Sequence, residues 1–309
     1  MASIKDLRKR IGTVKNTQQT TKAMKMVSAA KLRRAQEAIS AHRPYALELK
    51  SLLAQTLEHP ASASVKSPLI VREGSDWNAA SVNSEGKSVL LVLVTSDRGL
   101  CGGFNANIIK GAQRWLKAHQ GEYSRVEMAF VGKKAFDFFK GRLAVPAVFH
   151  HEFGAKMSYA RSKKLTADIL APYLDGRVQE VIVLYNEFKN AVTQKVTAES
   201  LVPLKVGVVA QSGSTGEITS GVPPLVKPDP AAVASTLLDK HFPVQIYRIL
   251  LESQAGEHGA RMSAMENATK NAGEMIRHLT LQYNKQRQAG ITKELLEIIA
   301  GSESQKSAG

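Results

Sequence analysis

The chain has 309 residues, of which 43% are hydrophobic and one is cysteine, and this composition excludes a disordered tail protein and a disulfide scaffold. Its 42 Lys and Arg outnumber 27 Asp and Glu, giving a formal net charge of +15, which predicts an anionic partner: nucleic acid, anionic lipid or an acidic protein surface. No stretch approaches the roughly 18 consecutive apolar residues of a membrane span, and the basic start lacks the apolar run of a secretory signal.

The N-terminal segment predicts one long helix from Ser3 to about Leu57, with Ser3 as its N-cap. At 1.5 Å per residue this helix would extend roughly 80 Å, so it must leave the domain to which it belongs. Between residues 18 and 28, the positions that would face a partner in a coiled coil are polar. The apolar Met24 and Val27 lie one place away from those positions. This pattern favours contact with something other than a simple partner helix. The alternating three- and four-residue spacing defines a heptad seam: Ile4, Leu7, Ile11, Val14, Gln18, Thr21, Lys25, Ser28, Leu32, Ala35, Ile39, His42, Ala46, Leu49 and Leu53.

The basic charge is concentrated in this first helix. The first 50 residues hold 12 basic and three acidic side chains, a net +9. This excess fits DNA binding as well as protein contact, but no aromatic residue lies within the first 44 positions to stack on bases, and no DNA-binding motif is present. A solvated helix face explains part of the charge but not the shortage of acidic residues.

The middle of the chain alternates strand and helix patterns, which predicts a Rossmann-like α/β domain with a largely parallel sheet. Strands are predicted at 88–95, 126–131, 144–149 and 178–185, and helices at 105–119, 133–140 and 158–174. Residues 188–202 alternate in part and are expected to pair with the preceding strand. The predicted divisions are a coiled-coil helix at 1–58, a linker at 59–87, the α/β domain at 88–210, a linker at 211–229 and a second coiled-coil helix at 230–309.

The C-terminal segment predicts a second long helix beginning at Pro230. Pro243 is expected to kink or interrupt it, and no further proline occurs before residue 300. The two terminal helices are expected to form a long antiparallel coiled coil, because each can bury its apolar stripe against the other. The stripe of the second helix comprises Met262, Met265, Ala272, Ile276, Leu279 and Tyr283.

The strongest candidate for a chemical site is the turn at residues 97–103, DRGLCGG, which follows a strand and precedes a helix. It lacks the Lys and Ser/Thr of a phosphate-binding loop, so a structural turn is favoured over a nucleotide site. The lone Cys101 is favoured as a buried thiol over a nucleophile and points to a reducing compartment. His150, His151 and Glu152 lack metal-ligand spacing, so no catalytic, cofactor or metal site is predicted.

Five segments together resemble the gamma subunits of F-type ATP synthases, and the resemblance spans effectively the whole chain. One departure is Ser302, which follows Gly301 where the family usually has Ala. The segments are KDLRKRIGTVKNTQQTTKAMKMVSAAKLRRAQ (5–36), HRPYA (42–46), SDRGLCGGFN (96–105), ARMSAMENAT (260–269) and YNKQRQAGITKELLEIIAG (283–301).

This resemblance implies a non-catalytic rotor shaft. The two terminal helices would form a bent coiled coil inside a ring of alternating alpha and beta subunits, and the α/β domain would lie beside the epsilon subunit above the membrane ring of c subunits. Rotation driven by proton or sodium flow would change the affinities of the beta subunits for ADP, phosphate and ATP in turn. Membrane association would be indirect, and neither nucleic acid nor a cofactor is implied.

The resemblance also implies partner-contact residues. The residues Lys22, Met24 and Lys25 match the region that meets the acidic C-terminal lever of beta. The residues that match contacts with loops of the ring are Arg287, Gln288, Thr292 and Glu294. Ile298 and Ile299 match the apolar bearing at the tip.

Two other functions stay open from the residues alone: an α/β enzyme or nucleotide binder that uses the 97–103 turn, and a nucleic-acid-binding protein that uses the basic helix. A single cysteine excludes the internal dithiol switch of chloroplast members of the resembled family. Met1 and the lack of a transit peptide favour a bacterial protein on the cytoplasmic face of the inner membrane.

Overall fold

The computed structural model describes residues 3–58, 67–71, 87–142, 147–154, 157–190, 193–205 and 229–307. In chain order the elements are α1 (Ile4–Glu58), β1 (Ile70–Val71), β2 (Ser88–Val94), α2 (Phe104–Ala118), β3 (Arg125–Val131), α3 (Lys133–Phe139), β4 (His150–His151), α4 (Tyr159–Leu174), β5 (Glu180–Phe188), β6 (Gln194–Val202), β7 (Leu204–Lys205) and α5 (Pro230–Ser307).

The chain divides into two compact units, residues 29–260 and residues 1–28 with 261–309, and each long helix contributes to both. The larger unit contains a five-stranded mixed sheet of order β4-β3-β2-β5-β6. The first four of these strands are parallel, and β6 pairs antiparallel with β5. This confirms the largely parallel sheet and the antiparallel addition of residues 188–202. The strand β1 lies in the predicted first linker and pairs with β7 in a separate two-stranded ladder.

The central strand β2 explains why the sheet has helices on both faces. All seven of its residues are buried, as expected for a parallel strand covered on each side. Val89, Leu91 and Leu93 face one core with Ile108 of α2. The alternate residues, Leu90, Val92 and Val94, face the other core, which contains residues of α1, α4 and α5. The uninterrupted apolar run is therefore divided between two cores by the two-residue period of a strand.

In the smaller unit the N-terminal part of α1 packs antiparallel to α5. Residue numbers along the two helices run in opposite directions, since Lys25 contacts Glu266, Thr21 contacts Thr269 and Ile4 lies against Gly290. Leu7, Thr21 and Ser28 of the predicted seam are buried. The predicted antiparallel pairing of the terminal helices is confirmed here.

The polar middle of the seam contacts α5 through hydrogen bonds. The Thr21 and Thr269 hydroxyl oxygens lie 2.8 Å apart, and the Gln18 amide donates to the Thr269 carbonyl oxygen at 3.5 Å. Polar residues of α5 lie opposite this stretch, so α5 is one of its partners, and the predicted contact with something other than a partner helix stays a prediction. Val27, which lies one position off the predicted seam, is 56% exposed.

Two local predictions differ from the structure. The strand predicted at 144–149 begins later in the structure: β4 occupies 150–151, although Val148 and Phe149 already form backbone hydrogen bonds with β3, and residues 144–146 lie outside the described residues. Pro243 does not interrupt the second long helix, which runs continuously from Pro230. The neighbouring Phe242 and Val244 are fully buried, and this tertiary packing outweighs the cost of a proline in a helix.

The helices in the described part of the chain include none with the length and apolar character of a membrane span.

Candidate partner interface

The residues implied as contacts for an acidic lever lie on a groove of the smaller unit. Lys22 is exposed, Met24 is half-buried, and the Lys25 ammonium lies 2.5 Å from a Glu266 carboxylate oxygen. The groove has a volume of about 810 Å³ and is lined by both helices. Lys22 and Lys25 therefore lie beside charged side chains of α5.

The groove adds basic residues that the sequence reasoning missed. Lys270 and Arg277 of α5 line it together with Lys22 and Lys25, against two carboxylates, Glu266 and Glu274. The excess of cations makes the groove suitable for an acidic surface. The sequence places Lys270 and Arg277 on a helix, but only the pairing of α5 with α1 places them beside Lys22.

The second implied set lies further along α5, where the helix is exposed. Residues 291–300 are all exposed, and so are Arg287 and Gln288. The Thr292 hydroxyl donates to the Gln288 carbonyl oxygen at 2.9 Å, and the exposed hydroxyl oxygen of Thr292 keeps its lone pairs as hydrogen-bond acceptors. Arg287 is 21 residues beyond Glu266, about 30 Å along the helix, so the two implied sets lie at separate levels of the helix.

Exposed apolar side chains cluster at the end of this helix. Ile298 is 70% exposed and Ile299 is 50% exposed, and Ile291, Leu295 and Leu296 are also exposed. A contiguous apolar surface of this kind is typical of a protein contact site. The implied bearing residues are thus accessible to a partner.

The 97–103 turn is held by its own side chains. The Asp97 carboxylate accepts hydrogen bonds from the backbone N–H groups of Lys133, Phe153 and Gly154 at 3.1, 2.9 and 2.7 Å. It thereby occupies donors that an anionic ligand would otherwise use, including one at the start of α3. Cys101 is 2% exposed, which fits a packing role.

Helix α5 covers the neighbouring end of the sheet. The β2–β5 boundary is the position at which open α/β sheets commonly hold ligands. The Gln194 amide donates to the Gly256 carbonyl oxygen at 2.9 Å, and a Cβ at residue 256 would lie 3.3 Å from the Phe104 ring. Because residue 256 is a glycine, the α5 backbone can lie close to Phe104, in the place that a ligand would occupy.

The two histidines of β4 contact side chains of neighbouring elements. The His151 imidazole Nε2 lies 2.9 Å from Asp168 Oδ2, and the His150 ring stacks on Phe136 with centroids 4.3 Å apart. Within the described ranges, no three His, Cys, Asp or Glu side chains form a group that could hold a metal ion.

A protein-family model described as ATP synthase matches residues 3–304. The ATP synthase gamma chain of Geobacter sp. (strain M21) is 46% identical over 309 residues, covering 99% of this chain and 100% of that protein. The ATP synthase gamma chain of Bdellovibrio bacteriovorus is 43% identical over 307 residues, with coverage of 99% and 100%.

Solved structures share the fold. A chain of the Euglena gracilis mitochondrial ATP synthase in rotational state 3 has a TM-score of 0.62 at 22% identity, covering 99% of this chain and 95% of that chain. A chain of the Tetrahymena thermophila mitochondrial central stalk and c-ring structure has a TM-score of 0.59 at 23% identity, with coverage of 81% and 99%. Since the family match and the bacterial relatives span almost the entire sequence, this chain belongs to the family of ATP synthase gamma chains.

Proposed function

We propose that this gamma chain is the central-stalk rotor of an F-type ATP synthase. It transmits ion-driven rotation to the catalytic ring of alpha and beta subunits during ATP synthesis, and it is turned by that ring during hydrolysis. The observation that best supports this role is the exposed α5 segment beyond Gly290, which carries large apolar side chains past the contact of Gly290 with Ile4 at the start of α1. A surrounding ring of subunits would cover this segment.

The proposed partners are the subunits that the resemblance implies. The alpha and beta subunits surround the paired helices, whereas the epsilon subunit and the membrane ring of c subunits contact the α/β domain. The chain is non-catalytic and takes no cofactor or nucleic acid. It is held on the cytoplasmic side of a bacterial inner membrane through these partners.

The proposed mechanism requires the rotor surface to differ from one side to the other. Each orientation must stabilise open and closed beta conformations unequally, since a surface with equal affinity for both would transmit nothing. The groove at Lys22 and Lys25 supplies positive charge at one level, and Arg287, Gln288, Thr292 and Glu294 supply polar contacts at another. Ile298 and Ile299 provide an apolar bearing in which few charges resist turning.

Arg287→Ala is expected to lower coupled ATP synthesis by about tenfold in a reconstituted complex, and Thr292→Ala by about fivefold, because each removes a polar contact with the ring. Neither should unfold the chain, since both side chains are exposed. Thr280→Ala is the matched control, because Thr280 is also exposed and its hydroxyl also donates to a carbonyl oxygen one turn earlier. If Arg287→Ala retains full turnover and torque, these residues do not belong to the interface.

The function itself is tested by reconstitution without this chain. Alpha and beta subunits should co-purify with the full-length chain, and membranes that lack it should lose coupled ATP synthesis. The purified chain alone should not hydrolyse ATP. Sustained hydrolysis by the isolated chain would favour the enzyme hypothesis instead and contradict the non-catalytic role.

A further inference from the structure

A network of charged and polar side chains ties α5 to the edge of the sheet within the larger unit. The Arg248 guanidinium of α5 places Nη2 2.7 Å from each carboxylate oxygen of Glu199 on β6. Its Nη1 donates to the Tyr185 hydroxyl on β5 and to Glu252, both at 3.1 Å. The Tyr185 hydroxyl in turn donates to Glu199 at 2.9 Å.

This network is less exposed to water than a surface ion pair of the same chain. The side chains of Arg248 and Glu199 are 27% and 35% exposed, whereas those of Arg33 and Glu37, an ion pair on α1, are 83% and 62% exposed. Burial is the largest single influence and lowers the pKa of Arg248, but Glu199, Tyr185 and Glu252 together outweigh burial and raise that pKa above its ordinary value. A partly buried and multiply bonded arginine resists displacement far more than an exposed pair does.

A second polar contact joins the same strand and helix. The Gln194 amide of β6 donates to the Gly256 carbonyl oxygen of α5 at 2.9 Å. Arg248 and Gly256 are eight residues apart, so the two contacts are separated by about 12 Å along the helix and about 80° around its axis. Two contacts so placed oppose both pivoting and rolling of the helix on the sheet.

We propose that Arg248 is a positioning residue that clamps α5 to strands β5 and β6, so that torque on the α/β domain passes into the helix without slip. This inference rests on the proposed rotor function. The clamp comprises Tyr185, Gln194, Glu199, Arg248, Glu252 and Gly256. Apolar packing also joins the sheet and the helix, but it is non-directional and resists rolling poorly.

The test compares loaded and unloaded rotation in the assembled membrane-bound complex. Arg248→Met should lower ATP synthesis about fivefold, whereas ATP hydrolysis by the catalytic part detached from the membrane should change less than about twofold, because the detached rotor carries no load. Arg248→Lys, which keeps a cation beside Glu199, should restore more than half of the synthesis rate. Arg33→Met is the matched control and should change neither activity.

Two further measurements test the clamp if the Arg248→Met chain does not assemble into the complex. Glu199→Gln keeps the side-chain shape and should give a smaller loss of synthesis in the same direction. In a Glu199→Cys, Arg248→Cys double variant, a bis-maleimide crosslink should restore the synthesis lost before crosslinking, and the buried Cys101 should not compete.

The clamp would be overturned if Arg248→Met lowered ATP synthesis in the membrane-bound complex and ATP hydrolysis by the detached catalytic part equally. It would also be overturned if synthesis were unchanged, or if the crosslink failed to restore synthesis. If membranes lacking the whole chain still synthesise ATP, the rotor function itself fails. If they do not, but Arg248→Met and Glu199→Gln synthesise normally, only the clamp is wrong.

Discussion

Gly132→Ala is expected to lower the free energy of unfolding by more than about 4 kcal/mol, the largest effect of any substitution considered for this chain. Gly132 follows β3 with φ of 99°, and a Cβ there would lie 2.0 Å from the Thr95 carbonyl oxygen. That oxygen belongs to the backbone and cannot rotate away. Separating the two segments would disturb the hydrogen bonds from Thr95 to Val131 and from Gly132 to His151. Chemical denaturation of the full chain measures the loss.

Two other glycines separate the causes of this effect. Gly121 has φ of 93° and open space around its Cβ position, so Gly121→Ala tests backbone strain alone and should cost about 1–3 kcal/mol. Gly12 lies in α1 with no heavy atom within 4 Å of a Cβ, and Gly12→Ala should stabilise the helix by about 1 kcal/mol. If Gly132→Ala proves no worse than Gly121→Ala, the clash with Thr95 does not matter.

Acidification from pH 6.5 to pH 4 is expected to remove about 3 kcal/mol of stability through His241 alone. Its side chain is 4% exposed, and its Nδ1 has no hydrogen-bond partner in the described part of the chain. Burial, followed by the charges of Lys50 and Arg248, lowers the pKa of His241 from 6.5 to about 4. The unfolded chain therefore binds a proton in this pH range that the folded chain does not, so stability falls as pH decreases.

The measurement is the difference between unfolding free energies at pH 7 and pH 4 for the parent chain and His241→Leu. Carboxylates also titrate in this range, but they do so in both proteins, so the difference isolates His241. His278→Leu provides the matched control, because it makes the same substitution at an exposed histidine. Parallel curves for the parent and His241→Leu would show that His241 is not the acid-sensitive group.

The proposed contact residues depend on the sequence and on the structure in different ways. The resemblance implies Lys22, Lys25, Arg287 and Thr292 from their positions in the chain alone. The basic groove around Lys22 needed the structure, because Lys270 joins it only when α1 and α5 pair in one particular register. The role of Asp97 as an acceptor for three backbone N–H groups also needed the structure, since its donors lie 36 to 57 residues away.

The sequence by itself determined the elements whose signal is local and periodic. The heptad spacing from Ile4 to Leu53 predicted α1 and its buried face, and the apolar run SVLLVLV predicted the central strand β2. Only the tertiary structure decided that α5 continues through Pro243, that the polar seam pairs with α5, and that Arg248 ties this helix to Glu199. The physical reason is that each of these depends on side chains distant in sequence, whose burial and hydrogen bonds outweigh local propensity once the chain has folded.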